Sequence, residues 1–296
     1  MNLTKPEYQL YYKLHFSLLY FVDKKYNILH KEEITSPKEF QDETTVEEKY
    51  EVRSFAYEFS NVIAEYLEAN PDSFSKMELD IIAQWKNFIK DRFYIIEYRK
   101  DFAVFLNMQK SANVYGVKAL ESDFREVIDY PLPISIEAVL LPFKEHIIYD
   151  GLIRAQPMLF GFNMSFDIFE KSDKLEATYG IISSPAQINQ KREKNYKTLL
   201  KYYIKNEENR EYFSDEINKI LAKHHELYEY YHYELGKINA RSHIKNLRKI
   251  GVANAWFGTF QGIIVASALS KKEAEEGAKR IIPKEYLPFI YYFHIK

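Results

Sequence analysis

His225, Glu229 and His232 are the residues of this chain best spaced for metal chemistry. Spacings of four and seven put all three on one flank of a helix, where two imidazoles and a carboxylate can face one ion. The competing reading is the polar flank of an aromatic-rich helix, with His224 on its apolar stripe. Glu97-Tyr98-Arg99-Lys100 belongs to a predicted strand, whose alternation puts Glu97 and Arg99 on one face. A nuclease of the restriction-enzyme type uses an acidic residue on one strand and Glu-x-Lys on the next to hold Mg²⁺ and polarise water. Here Arg99 stands in the lysine's place and cannot lose its proton, and no upstream strand aspartate completes the set. A surface ion pair explains the same residues. Asp150, in Tyr149-Asp150-Gly151 with Arg154 close by, marks a bulge or a site. General acid–base work commonly needs a second group of separated pKa, and none is identifiable beside it.

Two basic clusters, at residues 191–201 (KREKNYKTLLK) and 241–249 (RSHIKNLRK), lie on predicted helices. They either grip phosphates, with Arg241, Lys245, Arg248 and Lys249 in the second, or form the solvated side of amphipathic helices. Phe160-Gly161-Phe162-Asn163-Met164 offers a loop whose glycine allows close backbone approach to a ligand. No GxGxxG, Walker, HExxH or GxSxG pattern is present, and the absence of Cys removes disulfides and thiolate chemistry. No cofactor is expected.

The chain is 46% hydrophobic with 9 Gly and 10 Pro, enough apolar content to bury a large core. Lys plus Arg (41) nearly balance Asp plus Glu (43), so net charge favours no polyanionic partner. Charges interrupt every apolar run, and the N-terminus mixes charge and tyrosine where a signal peptide is apolar. A cytoplasmic protein without membrane association is expected. The 25 Tyr and 21 Phe reflect either an AT-rich genome or a chain that builds interfaces, to which Tyr brings contact area and a hydrogen-bonding tip.

Periodicity predicts an α+β chain in four segments: a helical region at 1–90, an antiparallel β-rich centre at 91–185, a helical hairpin at 186–250 and a ββαβ module at 251–296. Helices are expected at 6–22, 46–69 and 75–90, with a loop at 31–44. Strands are expected at 93–98, 102–108 and 114–119 as a meander, then at 134–143 and 146–153. Pro142 confines the fourth to an edge or an end. A helix at 163–178 stops at Gly180. Two helical segments fill 187–249. The longer, opened by Ser214, carries Ile217, Leu221, Tyr228, Tyr231, Leu235 and Ile238 in one stripe. The shorter covers part of it through Tyr196, Leu199, Leu200 and Tyr203, which leaves Tyr228, Tyr231, Leu235 and Ile238 as a candidate interface. The last module should hide Val265 and Phe293.

The block Leu141-Pro142-Phe143-Lys144 and Ile147-Ile148-Tyr149-Asp150-Gly151-Leu152, with residues 85–98 upstream, resembles a family of bacterial proteins with no known activity. The match spans roughly residues 80–185. Trp256-Phe257-Gly258 and residues 262–267, followed by a Lys/Glu-rich helix, are similar to small bacterial domains of unknown function. Neither resemblance implies a catalytic residue. The expectation is a non-enzymatic protein that binds another protein and self-associates, such as a phage- or mobile-element-encoded inhibitor of a host enzyme or antiviral defence complex. The alternatives are a metal-dependent nuclease or other hydrolase, and a nucleic-acid-binding protein.

Overall fold

Tyr11, Leu14, Leu18 and Val22 recur every three or four residues and form the buried face of the first helix, α1 (Lys5–Tyr26). The Glu7 carboxylate fixes its start, accepting from both the N–H and the hydroxyl of Thr4. The computed structural model describes residues 1–58, 61–109, 112–156, 160–188, 190 and 193–296. They form an α+β chain of two units, Met1–Glu193 and Lys194–Lys296. No helix among them is long and apolar enough to cross a membrane.

In the first unit α1 is followed by α2 (Pro37–Glu43), α3 (Val46–Glu58), α4 (Val62–Ala69) and α5 (Lys76–Gln84). The segment expected as a loop thus holds a helix. Ser36 accepts from the Glu39 N–H and Pro37 takes the first turn, so this Ser-Pro pair opens a helix. The single helix expected at 46–69 is two, and Phe59, on its expected apolar face, lies outside the described residues. The helix expected to reach 90 stops at Gln84. Trp85–Asn87 forms one 3₁₀ turn, and the next residues are drawn into a strand, with Ile89 paired to Leu140.

That strand, β1 (Ile89–Tyr98), leads the predicted meander with β2 (Ala103–Asn107) and β3 (Val114–Lys118). A short helix, α6 (Phe124–Val127), then β4 (Ile134–Phe143), β5 (His146–Tyr149), β6 (Arg154–Gln156) and helix α7 (Phe162–Tyr179) complete the elements of this unit. Pairing departs from a simple antiparallel array. β4 joins β1 along one edge and β6 and β5 along the other, while β5 runs parallel to β3. The circuit β1-β2-β3-β5-β4-β1 therefore closes into a small barrel. Pro142 sits at the end of β4, opposite Ile147. Alternation splits the side chains between two cores: Ala103 and Phe105 join α1, whereas Val104 and Leu106 join Ile168 of α7. Burial on both faces is why these strands read as continuous apolar runs.

The second unit contains α8 (Tyr196–Tyr203), α9 (Glu207–Tyr212), α10 (Ser214–Lys223), α11 (Tyr228–Lys249), β7 (Ala255–Phe260), β8 (Ile263–Ala268), α12 (Lys271–Ile281) and β9 (Tyr291–Ile295). The long helix expected after Ser214 is broken. His224 leaves helical geometry (φ −131°, ψ 70°), its N–H closing the last turn of α10 on Ile220 and its ring packing 4.2 Å from that of Tyr196. The C-terminal ββαβ module forms an antiparallel sheet of order β8-β7-β9, with α11 against β7 and β9 and α12 against β8 and β7. Phe257, Phe293, Ile295 and Ala240 make its core. Phe293 is buried as expected, whereas Val265, on the edge strand β8, is only half-buried.

Candidate functional site

The second unit carries a groove of about 470 Å³ at the break between α10 and α11. Leu221 from α10 and Tyr228, Tyr231 and Leu235 from α11 line it. Three of the four interface residues expected from the stripe thus meet there, despite the broken helix; Ile238 is half-buried outside the groove. The β7–β8 turn closes one end. Gln261 and Gly262 both have positive φ (47° and 79°), the conformation of a tight two-residue hairpin turn, and Gln261 is thereby held at the rim. Asn218 and Asn239 complete the polar lining. Among the described lining residues Arg210 alone is formally charged, and it donates to the Ile204 carbonyl at 3.3 Å. Burial holds the His232 imidazole below its ordinary value, so it stands neutral at pH 7. The groove offers aromatic area, carboxamide donors and acceptors and little charge.

The other candidates separate. His225 belongs to the turn before α11, so the one-helix spacing that motivated the metal trio does not hold for it. Its ring stacks 5.8 Å from Tyr228, and His232 stacks 4.7 Å from Phe289. No group of three His, Asp or Glu among the described residues is disposed to hold a metal. Glu97 is ion-paired to Arg99 at 2.8 Å, and Arg99 makes a bidentate fork to Glu176 of α7, both bonds 2.8 Å. The fork ties the residue just after β1 to α7 and uses up the guanidinium. The 160–164 segment opens α7, with Gly161 as its cap, in place of the expected ligand loop. Lys191 and Arg192 of the first basic cluster lie outside the described residues. Arg241, Lys245, Arg248 and Lys249 are exposed along α11.

Asp150 has a partner that the sequence did not reveal. Arg53 of α3 places Nε 3.4 Å from Asp150 Oδ2, close enough for an ion pair but not aligned as a hydrogen bond. Arg53 is 0% and Asp150 2% exposed. The hydroxyls of Tyr11 and Tyr57, the Trp85 indole N–H and His15 Nε2 are buried in the same unit, also without hydrogen-bond partners among the described residues. Burial pushes the Asp150 carboxyl up to about 6 against the pull of Arg53. Burial pushes His15 down to about 3, and Arg53 adds to this. The signs are opposed. Neutral His15 contributes stability that is complete above the unfolded value near 6.5 and is lost as pH falls toward 3. Asp150, raised, contributes stability that is lost as pH rises through about 6. Between pH 7 and pH 5 the parent should therefore lose about 2 kcal/mol relative to His15→Phe, in which only the Asp150 limb remains. Urea unfolding of both proteins at the two pH values measures this. Parallel pH profiles would rule out a buried neutral His15.

Comparison of the chain with protein-family models, with curated proteins and with solved structures finds no match to any of them.

Proposed function

We propose that the chain is a non-enzymatic protein that binds a segment of another protein in the α10–α11 groove and self-associates through the same tyrosine-bearing face. The observation that carries this reading is the lining itself. Tyr228, Tyr231 and Leu235 supply apolar anchors of the kind enriched at protein interfaces. Asn218, Asn239 and Gln261 supply carboxamides able to match a peptide backbone, which both donates and accepts. Recognition without turnover is also what an inhibitor of a host enzyme or defence complex requires, and that is the setting we infer.

Light scattering tests the self-association. The parent should run at twice the chain mass and the Tyr231→Asp/Leu235→Asp variant at the chain mass, with unchanged circular dichroism. Equal masses for two folded proteins would remove this face from the interface. Selection from a displayed peptide library tests the groove, with Tyr231→Ala weakening the selected peptides about 30-fold, or about 2 kcal/mol. Peptides that bind the variant equally well would place recognition elsewhere. The exposed row Arg241, Lys245, Arg248 and Lys249 favours nucleic acid as a second reading; a DNA or RNA shift that weakens steeply with salt distinguishes it.

A further inference from the structure

The first unit has its own groove, of about 410 Å³, between α1, the start of α2 and the turn after α4. Its charges cancel: Lys13 and Lys38 against Asp72 and Glu78. Lys13 and Glu78 are already paired at 2.7 Å, with the ammonium 4.8 Å from the centre of the Phe74 ring. What remains open is one carboxylate and one ammonium facing a common space. Among the lining residues neither sign is in surplus, and the nearby Lys49 ammonium, 5.9 Å from the centre of the Phe16 ring, is already held by the Gln41 and Thr44 carbonyls, so a phosphate-class or polyamine-class ligand is not favoured.

The carboxylate is held before any ligand arrives. Asp72 Oδ2 accepts from the hydroxyl of Ser17, which is buried on α1, and from that of Tyr66 at 3.4 Å. The turn that carries Asp72 is braced by Asn70, whose side chain bonds both the N–H and the carbonyl of Phe74. Among the described residues Asp72 Oδ1 makes no hydrogen bond, nor do the Lys38 ammonium and the Gln41 carboxamide, which line the same groove. The site thus presents an acceptor, a donor and a group that is both. Tyr12 and Phe16, with ring centres 5.8 Å apart and planes 30° apart, add an aromatic wall.

A ligand that complements this set is neutral, has one apolar face to lie on the aromatic wall, and carries several groups that both donate and accept. Sugar hydroxyls on a pyranose ring have that chemistry. The volume suits a small molecule of one or two rings, and holding Asp72 in place lowers the ordering cost of binding. We propose that this groove binds a neutral saccharide, with Asp72, Lys38 and Gln41 meeting its hydroxyls and Phe16 its ring face.

Saturation-transfer NMR on the full chain tests the assignment, with cellobiose, maltose and diacetylchitobiose as neutral probes and ATP and spermine as charged ones. Transfer to the ring protons of at least one disaccharide is expected. Asp72→Asn and Phe16→Ala should each weaken it about tenfold, through loss of a charged acceptor and of stacking. If Phe16→Ala does not fold, Gln41→Ala at the rim serves in its place. Absence of transfer to all three disaccharides, transfer unchanged in the variants, or displacement of the sugar by ATP or spermine would each overturn the proposal. The groove belongs to a different unit from the α10–α11 face, so Tyr231→Asp/Leu235→Asp should leave sugar binding intact.

Discussion

Asp150→Ala should destabilise the protein by about 4 kcal/mol at pH 7, clearly more than Arg53→Met, which removes the other half of the same pair. Breaking a buried ion pair leaves one charge without compensation, and the two survivors differ in what they can do about it. The guanidinium left by Asp150→Ala cannot shed its proton, so it stays charged in an apolar setting where its Nη1 and Nη2 already lack hydrogen-bond partners. The carboxylate left by Arg53→Met can take up a proton. Burial already raises it to about 6, and loss of the arginine, which opposes that rise, raises it further. Its added penalty at pH 7 is then at most about 1.4 kcal/mol, the cost of protonating at that pH a carboxyl that already stands at about 6. It shrinks on acidification, because a raised carboxyl pKa adds stability as pH falls through it. The Asp150→Ala loss shows no such rescue. The double variant should lose less than the two single losses added, since neither charge is stranded. Urea unfolding at pH 7 and pH 5 reads all three. Equal losses at both pH values would show that solvent compensates the pair.

That pair marks where the sequence stops being legible. Asp150 drew attention because a carboxylate before glycine in an apolar run is unusual. Arg53, far off in the chain, carries no local sign that it will be buried. Its neighbours Tyr50 and Tyr57 share its face of α3 at helical spacing, a pattern equally compatible with a solvated polar flank. Barrel closure is hidden for the same reason. Strand propensity marks residues 93–98 and 134–143 separately, but the pairing of the two strands, and the extension of the first back to Ile89, depend on non-local packing. Local chemistry, by contrast, was readable. Ser270 and Glu273 form a capping box, and the Gln261-Gly262 turn sets the C-terminal hairpin within a few residues of where periodicity puts it. The apolar stripe expected after Ser214 gives a mixed result. It brings Tyr228, Tyr231 and Leu235 together because all three lie on α11, where helical spacing holds, yet it runs through the break at His224, since periodicity does not register one residue leaving helical geometry. Asn218, Asn239 and Gln261 come from three elements and have no spacing to betray them.

Two glycines should respond to the same substitution with opposite signs. Gly236 lies in α11 where the helix crosses β9, and a methyl group there would sit 2.3 Å from the Tyr291 Cβ and 3.1 Å from its Cγ. The first distance is far inside contact. The atom it meets is fixed to the strand backbone, so rotation of the tyrosine ring cannot relieve it. The helix must instead retreat from β9 and loosen Ala240 from Phe257, Phe293 and Ile295. Overpacking of this kind costs about 3 kcal/mol, against about 1 kcal/mol gained by replacing a mid-helix glycine, so Gly236→Ala should destabilise the second unit by about 2 kcal/mol. Gly277 in α12 has no atom within 4 Å of the same added methyl. There only the helix gain remains, and Gly277→Ala should stabilise by about 0.5–1 kcal/mol. Thermal unfolding of the two variants beside the parent should therefore bracket it. Losses of similar size in both would mean that α11 does not approach β9 this closely. A gain in both would mean that the contact at Gly236 relaxes without cost, and the close packing of helix on strand would not be what makes glycine necessary there.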